Sequence, residues 1–157
     1  MTDEDYQDRF SGIGRLFGAA GLERLRTAHV CVVGIGGVGS WSVEALARSG
    51  VGKITMIDLD DICVTNVNRQ LHALDGEIGK SKVGVMAERV RAIHPGCEVI
   101  CEEVFFTEGN AEQLLTPEFD AVLDAIDTID HKCLLLAKCR ERGFPTVTCG
   151  GAGGKRD

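Results

Sequence analysis

Residues 34–39 read Gly34-Ile35-Gly36-Gly37-Val38-Gly39, directly after the apolar run HVCVV. This is a G-x-G-x-x-G pattern between a strand-like and a helix-like segment. Glycines Gly34, Gly36, Gly37 and Gly39 permit a tight turn and let backbone N–H groups approach phosphate oxygens. The positive end of the following helix dipole points at the same place. Asp58 stands 19 residues after Gly39, an offset at which a carboxylate accepts hydrogen bonds from a ribose. Asp60 is a further candidate for the nucleotide pocket, whereas Asp61 reads as part of a solvated acidic turn. A nucleotide site is the chemistry these spacings support, and a dinucleotide would fit them equally.

The next segment separates the two. Thr65-Asn66-Val67-Asn68-Arg69-Gln70 follows the ribose position, and Lys82 opens the next helix-like stretch. Hydride transfer needs no cation opposite a γ-phosphate. A triphosphate carries about four negative charges, and cleaving it needs cations to take up developing charge. Arg69 and Lys82 are suitable donors, while Asn66, Asn68 and Gln70 can hold oxygens without adding charge. Taken singly, Arg69 and Lys82 would read as surface residues. A third loop, Asp124-Ala125-Ile126-Asp127-Thr128, brings a carboxylate to the far side of the crevice. Asp127 can hold Mg²⁺ against the phosphates, or cap the helix that follows, or both.

The elements that must position these residues follow from periodicity and breakers. Strands are expected at 29–34, 53–58, 97–103, 120–125 and 146–149. Helices are expected at 15–27, 38–49, 81–94, 110–115 and 128–143, with Gly18 and Gly21 weakening the first. Alternation of this kind predicts a doubly wound, Rossmann-like α/β fold with strand order 3-2-1-4-5 and helices on both faces. Its ligand crevice lies at the carboxyl ends of the strands, at the switch between strands 1 and 4. Residues 1–28 read as an N-terminal helical arm and 29–157 as the nucleotide-binding domain.

The 157 residues suffice for one compact domain, and 44% apolar with 26% charged is ordinary globular composition. No apolar run approaches the roughly 20 residues of a membrane span. The polar N-terminus MTDEDYQDRF does not read as a secretory signal. The net charge of −7 offers no broad basic surface for nucleic acid. Seven cysteines, without a C-x-x-C pair, argue against a disulfide or zinc framework and for a reducing cytoplasm.

The GIGGVG loop, Asp58, NVNRQ (66–70), GKSK (79–82) and DAIDT (124–128) together resemble the adenylating enzymes related to ThiF and to ubiquitin-activating enzymes. The resemblance covers essentially the whole chain, and NxNRQ at this offset is highly specific. It implies that Arg69, Lys82 and Asp127 serve ATP and Mg²⁺. It implies a homodimer in which an N-terminal arginine, Arg15 or else Arg9, reaches the partner's ATP. Within the family, GIGGVGSW, DDICVTNVNRQLHAL and TCGGAGG are most similar to the tRNA threonylcarbamoyladenosine dehydratases. That likeness implies a tRNA substrate and a cysteine-desulfurase-system partner. Chains of this family continue beyond the point where this sequence stops. The resemblance therefore implies a further half with more strands, substrate surface and, in some relatives, zinc-binding cysteine pairs. Three alternatives stay open: a sulfur-carrier adenylyltransferase, a non-catalytic nucleotide-binding scaffold, and a dehydrogenase.

Overall fold

The computed structural model describes residues 1–116 and 118–150. Its elements are α1 (Asp3–Thr27), β1 (His29–Val33), α2 (Gly37–Arg48), β2 (Lys53–Ile57), α3 (Lys82–Ile93), β3 (Glu98–Glu102), α4 (Ala111–Leu114), β4 (Ala121–Asp124), α5 (Ile129–Arg142) and β5 (Thr146–Thr148). The strands form one parallel sheet in the order β3-β2-β1-β4-β5. The chain winds outward from β1 through β3, then crosses back to β4, so the switch lies between β1 and β4.

Side chains alternate across each strand, and both faces of the central strands are covered, whereas β5 at the edge is largely exposed. Val32, Ile54 and Met56 pack on one face against Val43 and Ala47 of α2 and Val83, Met86 and Val90 of α3. Cys31, Val33, Ile57 and Val122 pack on the other against Leu114, Leu135 and Cys139 of the α4 and α5 side. This two-sided burial explains why HVCVV reads as a continuous apolar run. All seven cysteines are free thiols. No helix of the described residues is long and apolar enough to cross a membrane.

Helix α1 departs from expectation, starting at Asp3 rather than residue 15. Thr2 and Asp5 form a reciprocal capping box that satisfies the first turn's free N–H groups. Tyr6 and Phe10, four residues apart and both buried, anchor this turn. The Tyr6 hydroxyl donates to Gly50 O at 2.8 Å, and the Phe10 ring meets His94 edge-on at 4.8 Å. Gly18, at φ +77°, then breaks the helical path. Because α1 packs on Gly50 and His94, which end α2 and α3, it sits below the amino ends of the strands. The other elements begin and end within one residue of expectation.

Helix α2 is held on α3 through Glu44, which is buried and accepts from Arg89 at 2.6 and 3.0 Å and from Arg48 at 2.6 Å. The Arg89 and Arg48 guanidiniums hold the Glu44 carboxyl below the usual carboxylate range. The amino end of α2 is thereby fixed over the switch point.

Candidate nucleotide site

The glycine loop turns between β1 and α2, and its glycines have different duties. Gly34 has φ +89°, and a Cβ there would lie 2.8 Å from Ala125 O. A Cβ on Gly39 would lie 1.8 Å from Gly34 O, so helix and strand approach too closely for any other residue. Gly36 and Gly37 are different, because a Cβ on either would make only ordinary contacts. Those contacts are with Gln70 Nε2 at 3.7 Å and Arg69 Cγ at 3.6 Å. The loop's open side therefore faces the NVNRQ segment.

Helix α2 begins at Gly37 with Gly36 as its cap, and no side chain caps it. Gly36 N–H meets no acceptor among the described residues. Unpaired N–H groups at a helix start, beside a guanidinium, make an anion site.

Asp58 follows β2, and both its carboxylate oxygens are engaged. Oδ2 accepts from Ile35 N at 2.5 Å and Oδ1 from Asp60 N at 2.8 Å. It remains partly exposed, and each oxygen has a second lone pair for a ribose hydroxyl. Lys82 is buried, with its Nζ donating to Asp60 Oδ2 at 2.7 Å. The lysine thus reaches the site through Asp60 rather than lying on the surface.

A short 3-10 turn, Val64–Asn66, leads into the NVNRQ segment, which continues as a turn over 67–69. Asn66 is buried and its Oδ1 accepts from Cys63 N at 2.9 Å, so this amide holds the turn's own backbone. Asn68 Oδ1 and Thr65 O both accept from Arg69 Nη1 at 2.9 Å. Arg69 is otherwise exposed and leans over Gly37. Gln70 is buried against Gly36, and its Oε1 has no partner. That unpaired oxygen and the Gly36 N–H are two polar groups a ligand could satisfy.

Across the switch point, β4 ends at Asp124, and Ala125 N donates to Val33 O at 2.9 Å. Asp127, two residues on, is exposed and makes no hydrogen bond or ion pair with the described residues. The cap of α5 is Thr128, not Asp127. No group of three His, Cys, Asp or Glu among the described residues could hold a metal alone. A Mg²⁺ bound here would need phosphate oxygens beside Asp127, which suits a cation that takes one or two carboxylates plus a nucleotide.

Arg15 and Arg9 are not brought to this crevice. Both lie on α1, with Arg15 exposed and Arg9 Nη1 donating to Ile93 O at 3.3 Å. A concavity of about 680 Å³ lined by Phe17, Arg24, Leu25 and Asp120 also lies at that lower end, away from the site residues.

Three supports escaped the sequence reading. His72, fully buried, places Nε2 2.8 Å from Ile35 O; burial holds its pKa below the ordinary imidazole value. Ser40 Oγ donates to Gly36 O at 2.7 Å and accepts from Leu71 N at 3.2 Å, tying the glycine loop to the NVNRQ segment. Asp124, with no exposed surface, binds Lys132 Nζ at 2.6 Å, Thr148 Oγ1 at 2.5 Å and Ile126 N at 3.1 Å. A usable signal was an aspartate ending an apolar strand with a lysine eight residues later. For His72 the signal was a polar residue inside the apolar LHAL stretch.

Comparison with known proteins agrees with this geometry. The ThiF family pattern matches residues 11–155. A Haemophilus influenzae protein named tRNA threonylcarbamoyladenosine dehydratase is 53% identical over 98% of this chain and 59% of its own length. The Escherichia coli protein of that name is 51% identical over 100% of this chain, again 59% of its own. A crystal structure of the E. coli tRNA N6-threonylcarbamoyladenosine dehydratase in complex with ATP superposes with TM-score 0.96 at 50% identity, covering 100% of this chain and 65% of that one. The chain thus spans about three fifths of the curated relatives it matches. With its five-stranded doubly wound sheet, its glycine loop and the residues gathered around that loop, the chain belongs to the ThiF family.

Proposed function

We propose that the intact protein binds ATP in the crevice between β1 and β4 and uses it to dehydrate threonylcarbamoyladenosine beside the tRNA anticodon. The observation that carries this reading is the convergence on one open glycine loop of free N–H groups, Arg69 and the Asp58 carboxylate. The likeness to a dehydratase crystallised with ATP supports it.

In this reading Asp58 takes the ribose hydroxyls, and Gly36 and Gly37 face the phosphates with Gly34 and Gly39 shaping the turn. The threonyl carboxylate attacks the α-phosphorus and pyrophosphate leaves. Arg69 and Lys82 take up charge as it departs; Asn68, Gln70 and Asp60 order the cations and the loop around it. Asn66 acts by holding that segment's backbone. Asp127 would hold Mg²⁺, which supplies further neutralisation of the phosphates. The ureido group then closes on the activated carbonyl and AMP leaves, so that ATP hydrolysis and loss of water from the nucleoside balance. Residues 1–28 serve as an arm, and 29–157 as the ATP-binding domain. A homodimer in the cytoplasm is proposed, with Arg15 the arginine that crosses to the partner's nucleotide, since Arg9 is held by Ile93 O. A cysteine-desulfurase system is the proposed further partner.

The test is conversion of threonylcarbamoyladenosine-containing tRNA to its cyclic form by the full-length protein with ATP and Mg²⁺, read by mass spectrometry of nucleosides. Arg69→Ala and Asp127→Ala should each lower turnover about 10²–10³-fold, with smaller effects on apparent ATP affinity. Near-normal turnover in both variants would overturn these roles. Transfer of AMP to a small carrier protein, with no tRNA product, would overturn the substrate and leave the adenylation.

A further inference from the structure

The peptide groups on either side of Ile35 are both clamped from outside the glycine loop. The Ile35 N–H is taken by Asp58 Oδ2 at 2.5 Å, and the Ile35 carbonyl lies 2.8 Å from His72 Nε2. A carbonyl can only accept, so Nε2 carries the proton and His72 is the donor. Its Nδ1 is buried without a partner, which agrees with one donated bond from this ring. A trans peptide is planar, with its C=O and N–H pointing in opposite directions. Drawing the Ile35 carbonyl down onto His72 therefore turns the Gly36 N–H up, to the loop's open side. That N–H meets no acceptor among the described residues, and a Cβ on Gly36 would make only an ordinary contact, with Gln70 Nε2 at 3.7 Å.

We propose that His72 is a positioning residue for the nucleotide's phosphates, holding the Ile35–Gly36 peptide so that Gly36 N–H faces a phosphate oxygen. The inference rests on the ATP reading and deepens it. Asp58 anchors the same loop at Ile35 N, so the ribose carboxylate and the phosphate cradle move as one unit. The imidazole itself never touches substrate. A purely packing role would need only its volume, whereas this role needs its N–H.

The experiment compares full-length wild type, His72→Leu and His72→Gln, measuring ATP by titration calorimetry and adenosine by competition. Glutamine offers an N–H at about the reach of imidazole Nε2, and leucine fills space without a donor. His72→Leu should bind ATP about 10-fold more weakly. Adenosine affinity should stay within about twofold, and His72→Gln should recover most of the ATP affinity. Should the leucine variant not fold, His72→Asn, whose shorter amide cannot reach Ile35 O, carries the same expectation. Equal loss of ATP and adenosine affinity, or a glutamine variant no better than leucine, would overturn the proposal while leaving ATP binding intact. Absence of ATP binding by the wild type would overturn the ATP reading as well.

Discussion

Replacing Lys132 by methionine removes a charge from the floor of the site while keeping its stem. Asp124 has no exposed surface, and Lys132 is one of three donors to its carboxylate. The same ammonium donates to Cys149 O at 2.9 Å, so it joins the ends of β4 and β5. In the variant, Asp124 keeps the Thr148 hydroxyl and the Ile126 N–H but loses its countercharge, and Cys149 O loses its donor. Breaking a buried pair from one side costs about 3–5 kcal/mol. The Lys132 side chain is 16% exposed, so water reaches the vacated place and the expected loss is roughly 2–4 kcal/mol. That is a large share of the about 5–15 kcal/mol typical of a folded domain. Urea unfolding followed by circular dichroism measures it as a lowered midpoint at unchanged slope. Asp124→Asn combined with Lys132→Met should cost less than the two separate losses together, by about 1–3 kcal/mol. A loss below about 0.5 kcal/mol for Lys132→Met, the level of an ordinary surface change, would refute the reasoning.

Asp58→Ala should weaken ATP binding by roughly 2–4 kcal/mol and also lower stability by about 1–2 kcal/mol, because Ile35 N–H and Asp60 N–H lose their acceptor. Unchanged ATP affinity in calorimetry would remove Asp58 from the site. Gly39→Ala should prevent normal folding, since its Cβ would sit 1.8 Å from Gly34 O, whereas Gly36→Ala should fold and lose ATP affinity. Equal thermal midpoints for the two variants would contradict this division. Burial holds His29, His72 and His94 below the ordinary imidazole value of 6.5. The unfolded chain therefore takes up protons first, and stability is full above pH 6.5 and falls as pH drops below it. The melting temperature should decline between pH 7.5 and 5.5, and His94→Phe should flatten the decline; a level profile would be inconsistent with buried neutral histidines.

Much of the fold was legible because its signals are local. VCVV (30–33) is apolar throughout because both faces of β1 are covered, and GIGGVG must be glycine-rich because Gly34 and Gly39 allow no Cβ. The order 3-2-1-4-5 followed from the handedness of crossovers and from alternating elements. The types and offsets of Asp58, Arg69, Lys82 and Asp127 marked a candidate nucleotide crevice without any contact being known. Tertiary structure decided what each of these groups touches. Taken singly, Lys82 reads as a first-turn surface lysine, and it is the packing of α3 that sets it against Asp60, 22 residues earlier in the chain. Asn66 reads as a ligand donor from sequence, and folding gives its amide oxygen a second duty, accepting from Cys63 N. The first turn of α1 was invisible because Tyr6 and Phe10 stand in a polar segment and gain their meaning from His94 and Gly50, which lie far along the chain. His72 likewise gains its role from Ile35, 37 residues away. Periodicity and turn chemistry are properties of neighbours in sequence. Hydrogen-bond partners of buried polar groups are settled by which distant segments the hydrophobic core brings together.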